Sequence, residues 1–142
     1  MKQYDLSRFV DAQAGDYETA LAEIRSGRKK SHWMWYIFPQ IDGLGFSPTA
    51  RHYSIKDLDE ARAYLAHPVL GPRLVAICQA LLALPDTDAE LIFGWPDVLK
   101  LRSSMTLFAA ARPEEPVFAR VLAKFYGGEP DRRTLEILGM AG

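Results

Sequence analysis

The sequence predicts an all-α protein, a compact bundle of about seven or eight short helices with one irregular aromatic loop. Apolar residues recur at three- and four-residue spacing through most of the chain, which is the period of an amphipathic helix. Few segments alternate with period two, so a sheet is expected to be small or absent. The 142 residues are 49% hydrophobic and contain no repeat or linker, which favours a single domain over residues 1–142.

The first part of the chain predicts two helices. Asp5 is a suitable N-cap for a helix that Gly15 interrupts, and Asp16 is suited to start a second helix that ends at Gly27. Both segments carry apolar residues on one face, so both are expected to pack against the core.

Capping boxes and a proline mark the middle helices. Asp57 followed by Glu60, and Thr87 followed by Glu90, place an N-cap oxygen three residues before a glutamate. This arrangement satisfies the free N–H groups at a helix start. Between the two boxes, Pro68 opens the expected central helix, because apolar residues recur at helical spacing from there to Pro85.

The last part of the chain predicts three more helices. One opens at Pro96 and Asp97 and carries apolar residues on one face as far as Phe108. The next covers residues 117–125 and ends before two glycines, and a short helix at residues 134–138 closes the chain.

Composition and charge exclude several classes of protein. A formal net charge of −1 gives no global field for duplex nucleic acid or an anionic membrane, so neither is expected as a partner. The apolar run at residues 33–39 is far shorter than the ~20 residues of a membrane-spanning helix, and no apolar signal region follows the N-terminus. The expected location is the cytoplasm.

Neither a metal nor a cofactor is expected. The single cysteine, Cys78, lies among apolar neighbours, which is typical of a reduced core thiol. The three histidines lack the close spacing of a zinc motif, and no phosphate loop or dinucleotide-binding fingerprint is present.

Residues 31–53 differ from ordinary core or loop sequence. The segment contains six aromatic residues and two of the chain's three histidines, with a basic run just before it and further cations near its end. Aromatic faces stack on bases, and guanidinium and ammonium groups bind phosphate, so the segment favours a nucleotide-like ligand. In the alternative interpretation the tryptophans are core residues and the basic run is a solvated helix end.

Candidate site residues come from this segment and from a polar run at residues 93–108. His32 and Asp97 are the candidates for any proton transfer. The alternative for the second run is a surface pair between Asp97 and Lys100, with its serines bonding back to the helix backbone. The candidate ligand-binding residues, chosen for stacking or for phosphate binding, are Lys29, Lys30, Trp33, Trp35, Tyr53, Lys100, Arg102 and Ser103.

Five stretches of the chain resemble the bacterial domain-of-unknown-function family 1810. They are FVDAQ at 9–13, SHWMWYIFPQIDGLGFS at 31–47, YLAHPVLGPRL at 64–74, DVLKLRSSMTLF at 97–108 and VLAKFYGGEPDRRTLEIL at 121–138. The resemblance covers nearly the whole chain and implies a mainly helical single domain, but it implies no established activity. Members are sometimes mislabelled as calpastatin, and nothing in these residues supports the protease inhibition that this label implies.

A second resemblance points towards chemistry. The chain is loosely similar to motifs of the NADAR group, which removes ADP-ribose from modified bases. Where that group has a glutamate before its His-Tyr pair, this chain has Arg51. The missing carboxylate would act as a general acid or as an acceptor for the ribose. Its absence therefore counts against hydrolysis more than against ADP-ribose binding. The matching residues are Phe38, Pro39, Asp42, Gly43, His52, Tyr53, Lys124 and Phe125.

Two functional hypotheses follow, and the sequence leaves open whether the protein is an enzyme. In the first, the chain binds a small nucleotide-like or ADP-ribose-like phosphorylated molecule, with or without hydrolysis of it. In the second, it is a non-enzymatic helical protein-interaction module whose exposed aromatic residues at 33–46 contact a partner. A concave pocket that gathers the candidate residues would favour the first hypothesis.

Overall fold

Nine helices follow one another in residues 4–140, the part of the chain that the computed structural model describes. No extended strand is present in these residues, so the all-α prediction is confirmed. The helices are α1 (Ser7–Ser26), α2 (Met34–Ile37), α3 (Pro48–His52), α4 (Leu58–Ala66), α5 (Leu70–Ala83), α6 (Ala89–Phe93), α7 (Asp97–Ala111), α8 (Val117–Tyr126) and α9 (Arg132–Ile137).

The N-terminal region forms one long helix, and the prediction of an interruption at Gly15 was wrong. α1 runs through Gly15 and Asp16 without a break. A glycine inside a helix costs only about 1 kcal/mol relative to alanine, and α1 buries Phe9 and Tyr17 on either side of this position. Tertiary packing therefore outweighs the local preference. The predicted end at Gly27 is confirmed, where φ of 85° suits glycine.

Helix caps explain where the middle helices begin. The Asp57 carboxylate accepts the Glu60 N–H at 2.8 Å, as the predicted capping box requires. The second box was assigned one residue too early. Asp88, and not Thr87, caps α6 by accepting the Glu90 N–H at 3.0 Å.

The core is built around α7, which packs against α4, α6, α8 and α9. Phe108 of α7 lies between Tyr64 and Phe118, with ring centroids 5.3 and 5.7 Å away, and all three side chains are fully buried. Tyr126 of α8 holds the N-terminal turn of α7 by donating its hydroxyl to Val98 O, and this turn carries part of the site described below.

The sequence predicts α5 to be central and to open at Pro68, but it begins at Leu70 and packs against α1, α4 and α8, while α7 takes the central place. Cys78 of α5 is fully buried, and this burial raises the pKa of the thiol.

One backbone bridge closes the second half of the aromatic segment, residues 31–53, into a loop. Ile41 and Ile55 form a parallel bridge, in which the Asp42 N–H donates to Ile55 O and the Ile55 N–H donates to Gln40 O, each at 2.8 Å. The residues between them, including α3, are therefore closed into a loop beside the bundle.

No helix in residues 4–140 is by itself long and apolar enough to cross a membrane, although α4 and α5, bent by 87° relative to each other, reach that length and hydropathy together.

Candidate functional site

A cavity of about 230 Å³ opens between the closed loop and the start of α7. We call it the aromatic cavity. Gln40 and Ser54 supply polar groups to its wall. The side chains that form most of the remaining wall are Trp35, Leu44, Tyr53, Pro96, Leu99 and Lys100. The concave shape and the mixture of aromatic, aliphatic and a few polar groups are typical of a small-molecule site.

Two glycines allow the loop to form one wall of this cavity. Gly43 has φ of 106°, which L side chains rarely adopt. A Cβ at Gly45 would lie 2.7 Å from the Ala50 Cβ, so only glycine permits the close approach of the loop to α3. The turn recognised in the sequence at 42–45 is therefore a wall of the cavity.

Lys100 brings a positive charge to the aromatic cavity. Its Nζ atom lies 4.7 Å from the Trp35 ring centroid and 3.3 Å from Asp97 Oδ1. The other Asp97 oxygen is 2.8 Å from Lys29 Nζ, and the Lys29 side chain is only 8% exposed. Two ammonium groups share one carboxylate, so the three side chains together carry one net positive charge.

A buried carboxylate fixes the turn between α1 and α2. Glu23 accepts hydrogen bonds from the Lys30 and Ser31 backbone N–H groups at 2.7 and 2.9 Å, from the Ser31 hydroxyl at 2.6 Å, and from the Trp33 indole N–H at 2.9 Å. Burial acts to raise the pKa of this carboxyl, but the four hydrogen bonds outweigh it and lower the pKa from 4.5 to about 2. Glu23 consequently holds the backbone just before His32 and the side chain of the residue just after it.

A second, more open cavity of about 440 Å³ adjoins the first, and we call it the histidine groove. His32 and His52 line it, and Trp35 and Tyr53 line both cavities. The His52 ring packs at 78° against Tyr53 with centroids 4.6 Å apart. The remaining lining residues are Tyr36, Pro48 and Thr49.

Tyr36 in the histidine groove is held by a carboxylate. Its hydroxyl donates to Asp16 of α1. Burial, together with this hydrogen bond and the charge of Asp16, raises the Tyr36 pKa. The phenol is therefore a neutral donor at physiological pH, and its proton is already used by Asp16.

Three of the candidate residues face the aromatic cavity and one more faces the groove. Trp35, Tyr53 and Lys100 line the cavity, and His32, which is exposed, lines the groove. Lys30 is exposed on the Glu23-bound turn. Lys29 and Asp97 lie behind Lys100 and are connected to it through their ion pairs.

Three candidates lie elsewhere, and these assignments need correction. Trp33 is only 1% exposed and its indole is bonded to Glu23, so neither ring face is open to a ligand. Arg102 binds the backbone oxygen of Glu129 at 2.9 Å and lines a different cavity. Ser103 is buried and donates to Leu99 O at 3.2 Å, which is the backbone bonding weighed as its alternative.

Sequence reasoning missed Glu23, Leu44, Ser54 and Leu99. The signal for Leu44 was available, because it lies between the two glycines of the recognised turn. Glu23 gave no signal, since a glutamate near a helix end normally faces solvent. In residues 4–140, no group of three His, Cys, Asp or Glu side chains is placed to hold a metal ion.

Comparison with known proteins gives a family and a fold relative. Residues 3–138 match the family described as protein of unknown function (DUF1810). The chain is similar to the crystal structure of the conserved hypothetical protein Rv1873 from Mycobacterium tuberculosis, with 51% identity, a TM-score of 0.94, and coverage of 96% of this chain and 97% of that one. No curated protein matches the chain. The similarity to the NADAR group stays a prediction.

Proposed function

The chain belongs to the DUF1810 family of proteins of unknown function, and we propose that it binds a nucleotide-like phosphorylated small molecule in the aromatic cavity. One observation carries the proposal. Trp35, Tyr53 and Lys100 line a single concave cavity, with the Lys100 ammonium 4.7 Å from the Trp35 ring centroid. An aromatic surface beside a cation is the combination that binds a flat ring bearing an anionic group.

The size of the cavity limits what enters it. Small-molecule sites commonly measure about 300–1,000 Å³, and the aromatic cavity measures about 230 Å³. It therefore takes one ring system and leaves the rest of a larger ligand outside. The Gln40 side chain supplies the hydrogen-bonding groups for the polar edge of that ring, because the Ser54 hydroxyl is already bonded to Asp42 and Arg51.

Charge favours an anionic group next to the ring. The side chains of Lys29, Asp97 and Lys100 together carry one net positive charge. Those of Lys29 and Asp97 are largely shielded from water. A phosphate that contacts Lys100 completes this cluster as a second anion. Asp97 has both oxygens in ion pairs, so its role in the proposal is to position Lys100.

The proposal is tested by titration calorimetry and thermal shift with adenosine, AMP, ADP, ADP-ribose and inorganic phosphate. A ligand at 100 times its Kd stabilises the folded protein by about 2.7 kcal/mol. We expect Trp35→Ala to weaken every ring-bearing ligand, and Lys100→Ala to weaken the phosphorylated ones about tenfold while leaving adenosine unchanged. Arg120→Ala on the exposed face of α8 is the control. Absence of binding across the panel at millimolar concentration refutes the proposal.

A second candidate function, a protein-interaction module, is favoured by two exposed aromatic residues. Phe46 and Trp95 are each 70% exposed and directly follow or precede the lining residues Gly45 and Pro96. Exposed aromatic groups of this kind are common at protein interfaces. Light scattering over a range of concentrations tests self-association through them. Association that Phe46→Ser with Trp95→Ser abolishes, together with no response to the ligand panel, would favour this candidate.

A further inference from the structure

We propose that the histidine groove is a second subsite for the same ligand and that it binds a further phosphate beyond the one at Lys100. The ligand class is then a nucleoside diphosphate or a derivative of one, rather than a mononucleotide. This inference depends on the proposed function of the aromatic cavity.

The histidine groove is continuous with the aromatic cavity. Trp35 and Tyr53 form walls of both cavities, so a ligand that leaves the aromatic cavity past these rings enters the histidine groove. The aromatic cavity alone is small for a complete nucleotide. The groove adds about 440 Å³ at the place where the excluded part of the ligand would lie.

The histidine groove is lined by hydrogen-bond donors. Its lining includes two imidazoles and the Thr49 hydroxyl, all of which can donate hydrogen bonds to phosphate oxygens. No carboxylate lines the groove in residues 4–140. Asp16, which is bonded to a lining residue, accepts the Tyr36 hydroxyl. The groove therefore presents donors to an anion without an opposing negative charge in its wall.

Both histidines are exposed, and their neighbours in the chain are held by contacts with other residues. Glu23 holds the backbone N–H groups of residues 30 and 31 and the indole of Trp33, which are the neighbours of His32 on both sides. His52 packs against Tyr53, whose ring is in turn 5.2 Å from that of Tyr36. Donors held in place before binding lose less entropy when a ligand arrives.

The test compares ADP with AMP, and UDP with UMP so that the result does not depend on the base. We expect each diphosphate to bind at least tenfold more tightly than its monophosphate. His32→Ala and His52→Ala should each remove most of that advantage and leave the monophosphate affinities unchanged. Arg120→Ala is the matched surface control, and an unchanged melting temperature shows that each variant is folded.

The outcomes separate the two proposals. Equal affinity for diphosphate and monophosphate, or histidine variants that weaken both alike, overturns the subsite. The proposed function still holds in that case if monophosphate binding depends on Lys100. If no nucleotide binds, both proposals fall.

Discussion

Replacing Glu23 with glutamine tests the buried carboxylate that fixes the turn before α2. The substitution keeps the shape of the side chain and removes its charge. Hydrogen bonds to a charged group contribute about 1.5–3 kcal/mol each and neutral ones about 0.5–1.5, and Glu23 accepts four. The same four hydrogen bonds lower its pKa from 4.5 to about 2, which corresponds to a stabilisation on the order of 3 kcal/mol. We expect Glu23→Gln to lower the free energy of unfolding by about 2–3 kcal/mol at pH 7.

The stabilisation by Glu23 should decrease as the pH falls, because its pKa is lowered in the folded protein. The Glu23 pKa is lower in the folded protein, so its stabilisation is complete above pH 4.5 and is lost as the pH falls from there towards 2. Urea unfolding of wild type and Glu23→Gln at pH 7, 5, 4 and 3 should show a difference in free energy that shrinks over this range. The control is Glu18→Gln, on the exposed face of the same helix. A difference that stays constant from pH 7 to pH 3 would refute the assignment of the stabilisation to the charged carboxylate.

Three further predictions concern the rest of the fold. Gly15→Ala should stabilise the protein by about 0.5–1 kcal/mol in urea melts, because no atom from elsewhere in residues 4–140 lies within 4 Å of the added Cβ. Gly71→Ala should destabilise it by about 3 kcal/mol, because the Cβ would lie 2.1 Å from Leu65 O. Effects of the same sign in the two variants would contradict this prediction. Ser104→Ala should raise the free energy of unfolding by about 1 kcal/mol, since the fully buried hydroxyl has no hydrogen-bond partner within residues 4–140. A loss of stability in this variant would show that the hydroxyl does have a partner. Cys78 should react with a thiol reagent at neutral pH only after unfolding, because burial raises its pKa, and rapid labelling of the native protein would disprove it.

The helices outside residues 31–53 were predictable from the sequence because apolar periodicity records which face each one buries. α2 and α3 were not predicted, since both lie inside the segment that was expected to be an irregular loop. The prediction failed where a decision depended on a small local energy. An interruption at Gly15 and a cap at Thr87 are each choices worth about 1 kcal/mol. The buried face of α1 decides the first, and the neighbouring Asp88 carboxylate decides the second.

The candidate site was only partly predictable, because composition does not say which way a side chain points. Residues two apart on a helical turn point in very different directions. Trp35 lines the cavity while Trp33 is buried. Lys100 likewise lies over Trp35, whereas Arg102 binds Glu129. The sequence shows four suitable side chains, and only the fold separates the two that share a cavity from the two that do not.

The Glu23 turn has a consequence for how this family can diverge. Glu23, Ser31 and Trp33 are joined through side chains, so a change at one of them leaves a buried donor or acceptor unmatched in the others. These positions should therefore vary together among homologues. Glu23 accepts its hydrogen bond at position 30 from the backbone N–H of Lys30, and the His32 side chain is exposed. The side chains at positions 30 and 32 can therefore change without removing the hydrogen bonds to Glu23. Evolution can thus alter ligand preference at His32 on a scaffold that stays constant.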